Sequence, residues 1–192
     1  MTSSPVTPKS RSQQRTSSTS ASAKRGITQS ASLKVVELRE FEQVNEATYL
    51  AHRMYEECAD PSVPFSFRAT TDNITRYVVD WQRANYNVWI AYLNGRAIGM
   101  AVGTITPYIF NTERAARLDI WYVDKQSRTT KAALLLLREF EEWARLNGCI
   151  QLFGGPTGVT GEQADKVASI MTKLGFDQTG PRFMKSLIAS RH

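Results

Sequence analysis

The sequence predicts an α/β protein with a mixed central sheet and helices on both of its faces. Runs of aromatic and β-branched residues alternate with segments whose apolar residues recur every three to four positions, the spacing of amphipathic helices. One long helical segment follows directly on a strand-like run, within residues 117–148. Asn94-Gly95 separates two further strand-like runs and predicts a tight hairpin. The predicted element order is β-α-α-β-β-β-α-β-α-β.

The individual elements follow from the same patterns, taken in chain order. We predict strands at 33–38, 88–93, 97–105, 118–123, 150–153 and 182–188, and helices at 41–57, 71–84, 132–146 and 161–174. Thr71 or Asp72 is the predicted N-cap of the second helix, because both are good capping residues. Asn147-Gly148 is the expected stop of the third helix, since glycine tolerates the left-handed conformation that ends helices.

The first 31 residues differ in composition from the rest of the chain. They are dominated by Ser and Thr, lack acidic residues, and contribute five of the formal +6 charges. Such a segment buries too little apolar surface to order itself, so we predict a disordered basic tail at 1–31 and one folded domain at 32–192. Three interpretations of the tail stay open: a solubilising arm, an anchor for nucleic acid or another acidic surface, and an organelle-targeting peptide.

Composition also argues against several classes of protein. No apolar run reaches the roughly 18 residues of a membrane-spanning helix, and no secretory signal follows the first residue. Cys58 and Cys149 are far apart, which indicates neither a zinc site nor a disulfide framework, so a reducing compartment is expected and the cytoplasm is the predicted location. His52 and His192 are the two histidines, too few for a catalytic triad or a histidine-based centre, and no metal ion is predicted.

The segment 117–148 has a strand–turn–helix pattern that can serve phosphate binding. The first backbone N–H groups of a helix have no intrahelical acceptor, and the positive end of the helix dipole lies there, so anions are attracted. Arg128 and Lys131 add positive charge beside this point. On spacing alone, an ordinary βα unit with a solvated basic turn is favoured over a phosphate site.

Three segments resemble motifs of the GNAT superfamily, the acetyl-CoA-dependent N-acyltransferases. Residues 123–148, VDKQSRTTKAALLLLREFEEWARLNG, resemble its motif A. Residues 87–105, NVWIAYLNGRAIGMAVGTI, resemble the preceding hairpin, and residues 173–187, KLGFDQTGPRFMKSL, resemble the C-terminal segment. Motif A is degenerate here, because the two glycines of the family pattern are replaced by Thr129 and Lys131.

The resemblance implies a GNAT-like fold and direct transfer of an acetyl group from acetyl-CoA, as acyl donor, to an amine on a small molecule or a protein. It also implies that one residue of the central strand lies beside the pantetheine arm and that the following turn holds the pyrophosphate. The implied donor-binding residues are Val123, Arg128, Thr129, Thr130, Lys131, Ala132 and Ala133.

Asp119 falls where many family members have a central-strand carboxylate, which implies a general base. The alternative is an Asp satisfied by a neighbour such as Arg117. Glu113 is the second candidate, with a solvated loop charge as its alternative. The last-helix Tyr of many members falls near Met171, and Tyr122 would share a strand face with Asp119 only if the strand bulges. These departures keep open a non-catalytic GNAT-like module whose basic tail engages an acidic partner.

The acceptor is not identified by any single motif. Five aromatic residues are candidates to line an acceptor cleft, with a satellite core as the alternative. They are Phe65, Phe67, Trp81, Tyr108 and Phe110.

Overall fold

The computed structural model describes residues 32–58, 64–80, 85–155 and 161–179. The strands are β1 (Leu33–Glu37), β2 (Tyr86–Leu93), β3 (Arg96–Pro107), β4 (Arg114–Val123) and β5 (Cys149–Phe153). The helices are α1 (Phe41–Cys58), α2 (Phe67–Val79), α3 (Ala132–Leu146) and α4 (Gly161–Lys173), with a short 3-10 helix at Lys125–Ser127. The predicted tail at 1–31, the strand at 182–188 and Trp81 lie outside the described residues.

The sheet is mixed, as predicted. Its five strands lie in the order β1-β2-β3-β4-β5. The first three pairings are antiparallel, and β5 runs parallel to β4. Asn94 and Gly95 both have positive φ, 52° and 81°, as a tight turn between β2 and β3 requires.

Helices cover both faces of the sheet, which confirms the predicted layer arrangement. On one face α3 buries Leu136, Leu137 and Phe140 against apolar side chains of the strands. On the other face α1 and α2 bury Leu50 and Val78 in a second core that β2, β3 and β4 complete.

Gly103 in β3 allows α3 to approach the sheet closely. A Cβ added there would lie 2.7 Å from Cδ2 of Phe140 and 3.1 Å from Cζ3 of Trp143, shorter than van der Waals contact. The aromatic rings of α3 therefore pack on bare strand backbone. This contact holds the helix against the strands that precede the candidate site.

Predicted boundaries were wrong at the start of β4 and at both ends of α2, which ends at Val79 rather than at residue 84. The second helix begins at Phe67 rather than Thr71, because the Ser66 side chain accepts a hydrogen bond from the N–H of Ala69 at 3.2 Å and acts as the N-cap. Strand β4 begins at Arg114 rather than Leu118, because pairing with β3 extends to Pro107 opposite Arg114. Among the described residues, no helix has both the length and the apolar content to cross a membrane.

Candidate active site

Strand β4 bulges at Asp119. Ile120 pairs with Val102 of β3 and Leu118 pairs with Gly103, so Asp119 has no partner in the register. A bulge residue shifts the alternation of the strand. Leu118 accordingly lies in the α3 core, whereas Ile120 and Tyr122 lie against the α1–α2 core.

Strands β4 and β5 separate like a fork after a short shared segment. Their register runs from Arg114 opposite Cys149 to Arg117 opposite Phe153. Among the described strands, residues 118–123 of β4 therefore have no partner on that side. The second half of β4 offers an open backbone edge, and this edge leads directly to the turn before α3.

The start of α3 has unused backbone donors. The N–H of Ala132 donates to the Thr130 hydroxyl at 3.2 Å, and that hydroxyl donates to the carbonyl of Ser127 at 2.7 Å. The N–H groups of Ala133 and Leu134 have no acceptor in the described part of the chain. Lys131 is the N-cap residue, and its exposed side chain makes no capping bond. Thr129 is exposed beside it.

Arg128 is held back toward β4 instead of projecting from the turn. Its Nε donates to the carbonyl of Val123 at 3.0 Å, and its Nη2 is ion-paired with Glu57 at the end of α1. The guanidinium thus lies beside Val123, the residue that ends the open edge of β4. Val123 and Arg128, two of the predicted donor-binding residues, are thereby brought together from the two sides of the turn.

Asp119 is partly exposed rather than buried, with 28% of its side chain accessible. Arg117 Nε donates to Oδ1 at 2.5 Å, and the Thr104 hydroxyl donates to Oδ2. Burial raises the pKa of the Tyr77 phenol, and the charge of Asp119 raises it further. The Arg117 pairing weighed from the sequence is present in the structure.

Glu113 lies away from this arrangement, in the exposed connection between β3 and β4. Its N–H donates to Asn111 Oδ1 at 2.9 Å, and its carbonyl accepts from the N–H of Tyr108. These contacts are made by its backbone. Its catalytic assignment stays a prediction.

Sequence reasoning missed a network of charges between α1 and the end of β4. The Tyr122 hydroxyl donates to Glu57 Oε1 at 2.8 Å and lies 3.3 Å from Asp124 Oδ1. Asp124 is 3% exposed, and its Oδ2 lies 2.5 Å from Arg53 Nη1 and 3.9 Å from Arg96 Nη2.

Burial raises the pKa of the Tyr122 phenol, and the hydrogen bond to Glu57 raises it further. The phenol therefore stays protonated, and its O–H donates to Glu57. Glu57 lies 65 residues before Tyr122 in the chain, so no local pattern could have joined them.

A cleft of about 340 Å³ lies beside the segment over which β4 and β5 are paired. Arg117 and Phe153, the last pair of the shared segment, both line it. Tyr108 and Phe110, two of the five aromatic candidates for an acceptor cleft, also line it. Phe65 and Phe67 do not, because their rings pack with those of α1, among them His52.

Comparison with known families decides the identity of the fold. A family model described as "Acetyltransferase (GNAT) family" matches residues 51–176, well over half of the chain. The chain belongs to the GNAT family of acetyltransferases. A comparison with curated proteins found no match.

Solved structures share this GNAT fold at low sequence identity. An aminoglycoside N-acetyltransferase in complex with CoA superposes with a TM-score of 0.66 at 16% identity, covering 83% of this chain and 97% of its own. A Trypanosoma brucei acetyltransferase superposes with a TM-score of 0.61 at 18% identity, covering 81% of this chain and 100% of its own. An aminoglycoside acetyltransferase from an uncultured soil metagenomic sample superposes with a TM-score of 0.62 at 14% identity, covering 81% of this chain and 97% of its own. At these identities the likeness shows the fold alone.

Within the GNAT fold, the structure accounts for two departures from the family pattern. Met171, at the position implied for a tyrosine, is buried in the α3 core, where it cannot serve as a proton donor. Between the two positions that lack the family's glycines, the Thr130 hydroxyl caps the N–H of Ala132, and the next two N–H groups have no acceptor among the described residues. Lys131 adds a positive charge at the same helix end.

Proposed function

We propose that this protein transfers an acetyl group from acetyl-CoA to an amine by direct transfer. One observation supports this above all: the fork between β4 and β5 leads to a helix start whose N–H groups of Ala133 and Leu134 are unused. An open strand edge suits the amide-bearing arm of the donor, and a helix N-terminus suits its pyrophosphate. Acetyl-CoA is the substrate that supplies the acetyl group as a thioester.

The donor-binding residues divide into two groups under this proposal. Val123 and the rest of the open edge accompany the arm of the donor. Thr129, Thr130, Lys131, Ala132 and Ala133 form the turn and helix start that face the pyrophosphate. Arg128 bridges the groups, and an anionic donor competes with Glu57 for its guanidinium.

Asp119 is the proposed base, because it lies at the bulge immediately beyond the fork. The amine nitrogen attacks the thioester carbonyl, the new C–N bond forms, and the C–S bond breaks. Asp119 takes a proton from the nitrogen, and the sulfur leaves as thiolate. A thiol pKa of about 8.5 makes that departure feasible without a dedicated acid.

Calorimetric titration with acetyl-CoA tests the proposal, with desulfo-CoA as a non-reactive ligand that retains the pyrophosphate. We expect micromolar binding of both ligands, and acetylation of an amine with acetyl-CoA only. Lys131→Glu should weaken the binding of both at least tenfold, because a carboxylate then faces the pyrophosphate. The same change should leave the melting temperature equal or slightly raised, since negative charge suits a helix N-terminus.

Lys125→Glu is the matched control, because Lys125 is also exposed and lies in the same turn. The affinity of this variant for acetyl-CoA and for desulfo-CoA should change less than threefold. Equal losses in the two variants would mean that only overall charge matters and that the pyrophosphate does not lie at α3.

The alternative is a non-catalytic GNAT module. The pairing of Arg128 with Glu57 favours it, because that contact occupies the cation expected to meet the donor. The two functions differ in one measurement: a non-catalytic module without a donor site shows no binding at millimolar acetyl-CoA.

A further inference from the structure

The cleft borders the candidate base through one side chain. Arg117 lines the cleft and donates to Asp119 at 2.5 Å, so one side chain joins the cleft to the carboxylate. Phe153, the partner of Arg117 in the register, lines the cleft as well. Asp119 is not among the described residues that line the cleft, so an acceptor there reaches this carboxylate past Arg117. The cleft volume of about 340 Å³ is within the range of small-molecule sites, roughly 300–1,000 Å³.

Most of the described residues that line the cleft are apolar, and one is a cation. Tyr108 contributes its ring, because its hydroxyl already donates to Gln151. Ile109 and Phe110 border the cleft with 92% and 95% of their surfaces exposed. Large exposed apolar side chains grouped in one place mark surfaces that bind apolar partners. Within the part of the chain that the structure describes, Arg117 is the one charged residue of this lining.

We infer that the acceptor is a monoamine with an apolar body of about the size of one aromatic ring. This inference rests on the proposed function and names its substrate class. The apolar body is buried against Tyr108, Phe110 and Phe153, and the amine reaches Asp119. A polycationic acceptor is disfavoured, because its further ammonium groups would meet apolar walls and the Arg117 guanidinium, with no carboxylate among the described residues that line the cleft.

Acetyl transfer to 2-phenylethylamine and to kanamycin, an aminoglycoside, tests this inference on the full-length protein. With acetyl-CoA saturating, we expect kcat/KM for 2-phenylethylamine to exceed that for kanamycin at least tenfold. Calorimetry in the presence of CoA measures the binding of each amine independently of turnover. We expect 2-phenylethylamine to bind and kanamycin to bind at least tenfold more weakly.

Phe110→Asp examines the cleft itself. Since Phe110 is almost fully exposed, its replacement should leave the fold intact. Loss of a ring-sized contact in an apolar site should raise KM for 2-phenylethylamine about tenfold or more. The added carboxylate should lower the ratio of kcat/KM for 2-phenylethylamine to kcat/KM for kanamycin. Leu146→Asp is the matched control, because Leu146 is 77% exposed at the far end of α3 and should leave both constants unchanged.

The outcomes separate this inference from the proposed function. If acetyl-CoA binds and kanamycin is the better acceptor, the inferred acceptor class is wrong and the transferase remains. The same holds if acetyl-CoA binds but 2-phenylethylamine does not bind the CoA complex, or if Phe110→Asp leaves its KM unchanged. If acetyl-CoA itself fails to bind, while 2-phenylethylamine still occupies the cleft, the proposed transferase is wrong and the cleft remains an amine site.

Discussion

Asp119 combines three features at one residue: it is the bulge of β4, it follows the fork, and both of its oxygens are engaged. Arg117 donates to one oxygen and Thr104 to the other. The position of Asp119 along its strand could be predicted from the resemblance to the family. The Thr104 contact could not, because it depends on the register between β3 and β4.

Replacing Asp119 tests the assignment of the base. Asp119→Asn keeps the shape and an acceptor for Arg117 but removes the basic oxygen, so the rate of acetyl transfer should fall about 10²–10⁴-fold. Acetyl-CoA affinity, measured by calorimetry, should change less than threefold. Glu113→Gln should retain the rate, because the Glu113 side chain is exposed in the β3–β4 connection. A larger loss in Glu113→Gln than in Asp119→Asn would reverse the two assignments.

Tyr122 has a consequence for stability at high pH. Its pKa is raised above the ordinary value of 10.0 in the folded protein, so the unfolded chain loses this proton first as pH rises. The stabilisation of the fold by the protonated Tyr122 phenol is therefore fully present below pH 10. Above pH 10 the free energy of unfolding falls by about 1.4 kcal/mol per pH unit while the folded phenol stays protonated.

Thermal unfolding between pH 8 and 11 measures this effect. The wild type should lose more stability over that range than Tyr122→Phe, which has no proton to release at this position. The difference between the two proteins isolates Tyr122 from other groups that titrate at high pH, such as Tyr92. Parallel curves would show that the Tyr122 phenol titrates alike in the folded and unfolded chains.

At the scale of elements, periodic apolar spacing correctly predicted the helices, and the asparagine–glycine turn correctly predicted the hairpin. Boundaries were predicted less well for physical reasons. The start of β4 contains Arg114 and two alanines, which lack the β-branched pattern, and pairing with β3 makes them a strand. The start of α2 depends on the Ser66 hydroxyl rather than on helical spacing.

The packing of α3 on β3 gives a prediction at this scale. Gly103→Ala should destabilise the fold by about 1–3 kcal/mol, because the new methyl group meets the Phe140 ring at 2.7 Å in a well-packed core. Gly155→Ala is the control, since a Cβ there meets nothing within 4 Å. Urea unfolding measures both. Equal stability in the two variants would show that α3 shifts at little cost.

At the scale of the whole molecule, charge is distributed unevenly along the sequence. Residues 1–31 contribute five of the six net positive charges, so residues 32–192 are close to neutral. We propose that the tail is separate from the catalytic machinery. Deleting residues 1–31 should then leave acetyl-CoA affinity and the transfer rate within twofold of the full chain. Loss of transfer with donor binding preserved would place the tail at the acceptor site.

The candidate site could be predicted from the sequence only in part. The βα unit at 117–148 was apparent because its strand, turn and helix are contiguous. The Glu57–Tyr122 and Glu57–Arg128 contacts join residues 65 and 71 positions apart, and no local pattern predicts such a pairing. Folding places the end of α1 beside β4, and the network follows from that tertiary contact.

The bulge at Asp119 also determines how the side chains of β4 alternate between the two faces of the sheet. Leu118 and Ile120, two positions apart, face opposite layers of the protein, whereas a regular strand would place them on the same side. Deletion of Asp119 would make Leu118 and Ile120 direct neighbours, and direct neighbours in a regular strand face opposite layers, as these two residues already do. The bulge therefore adds one residue to β4, the proposed base, while each half of the strand keeps the layer that it faces.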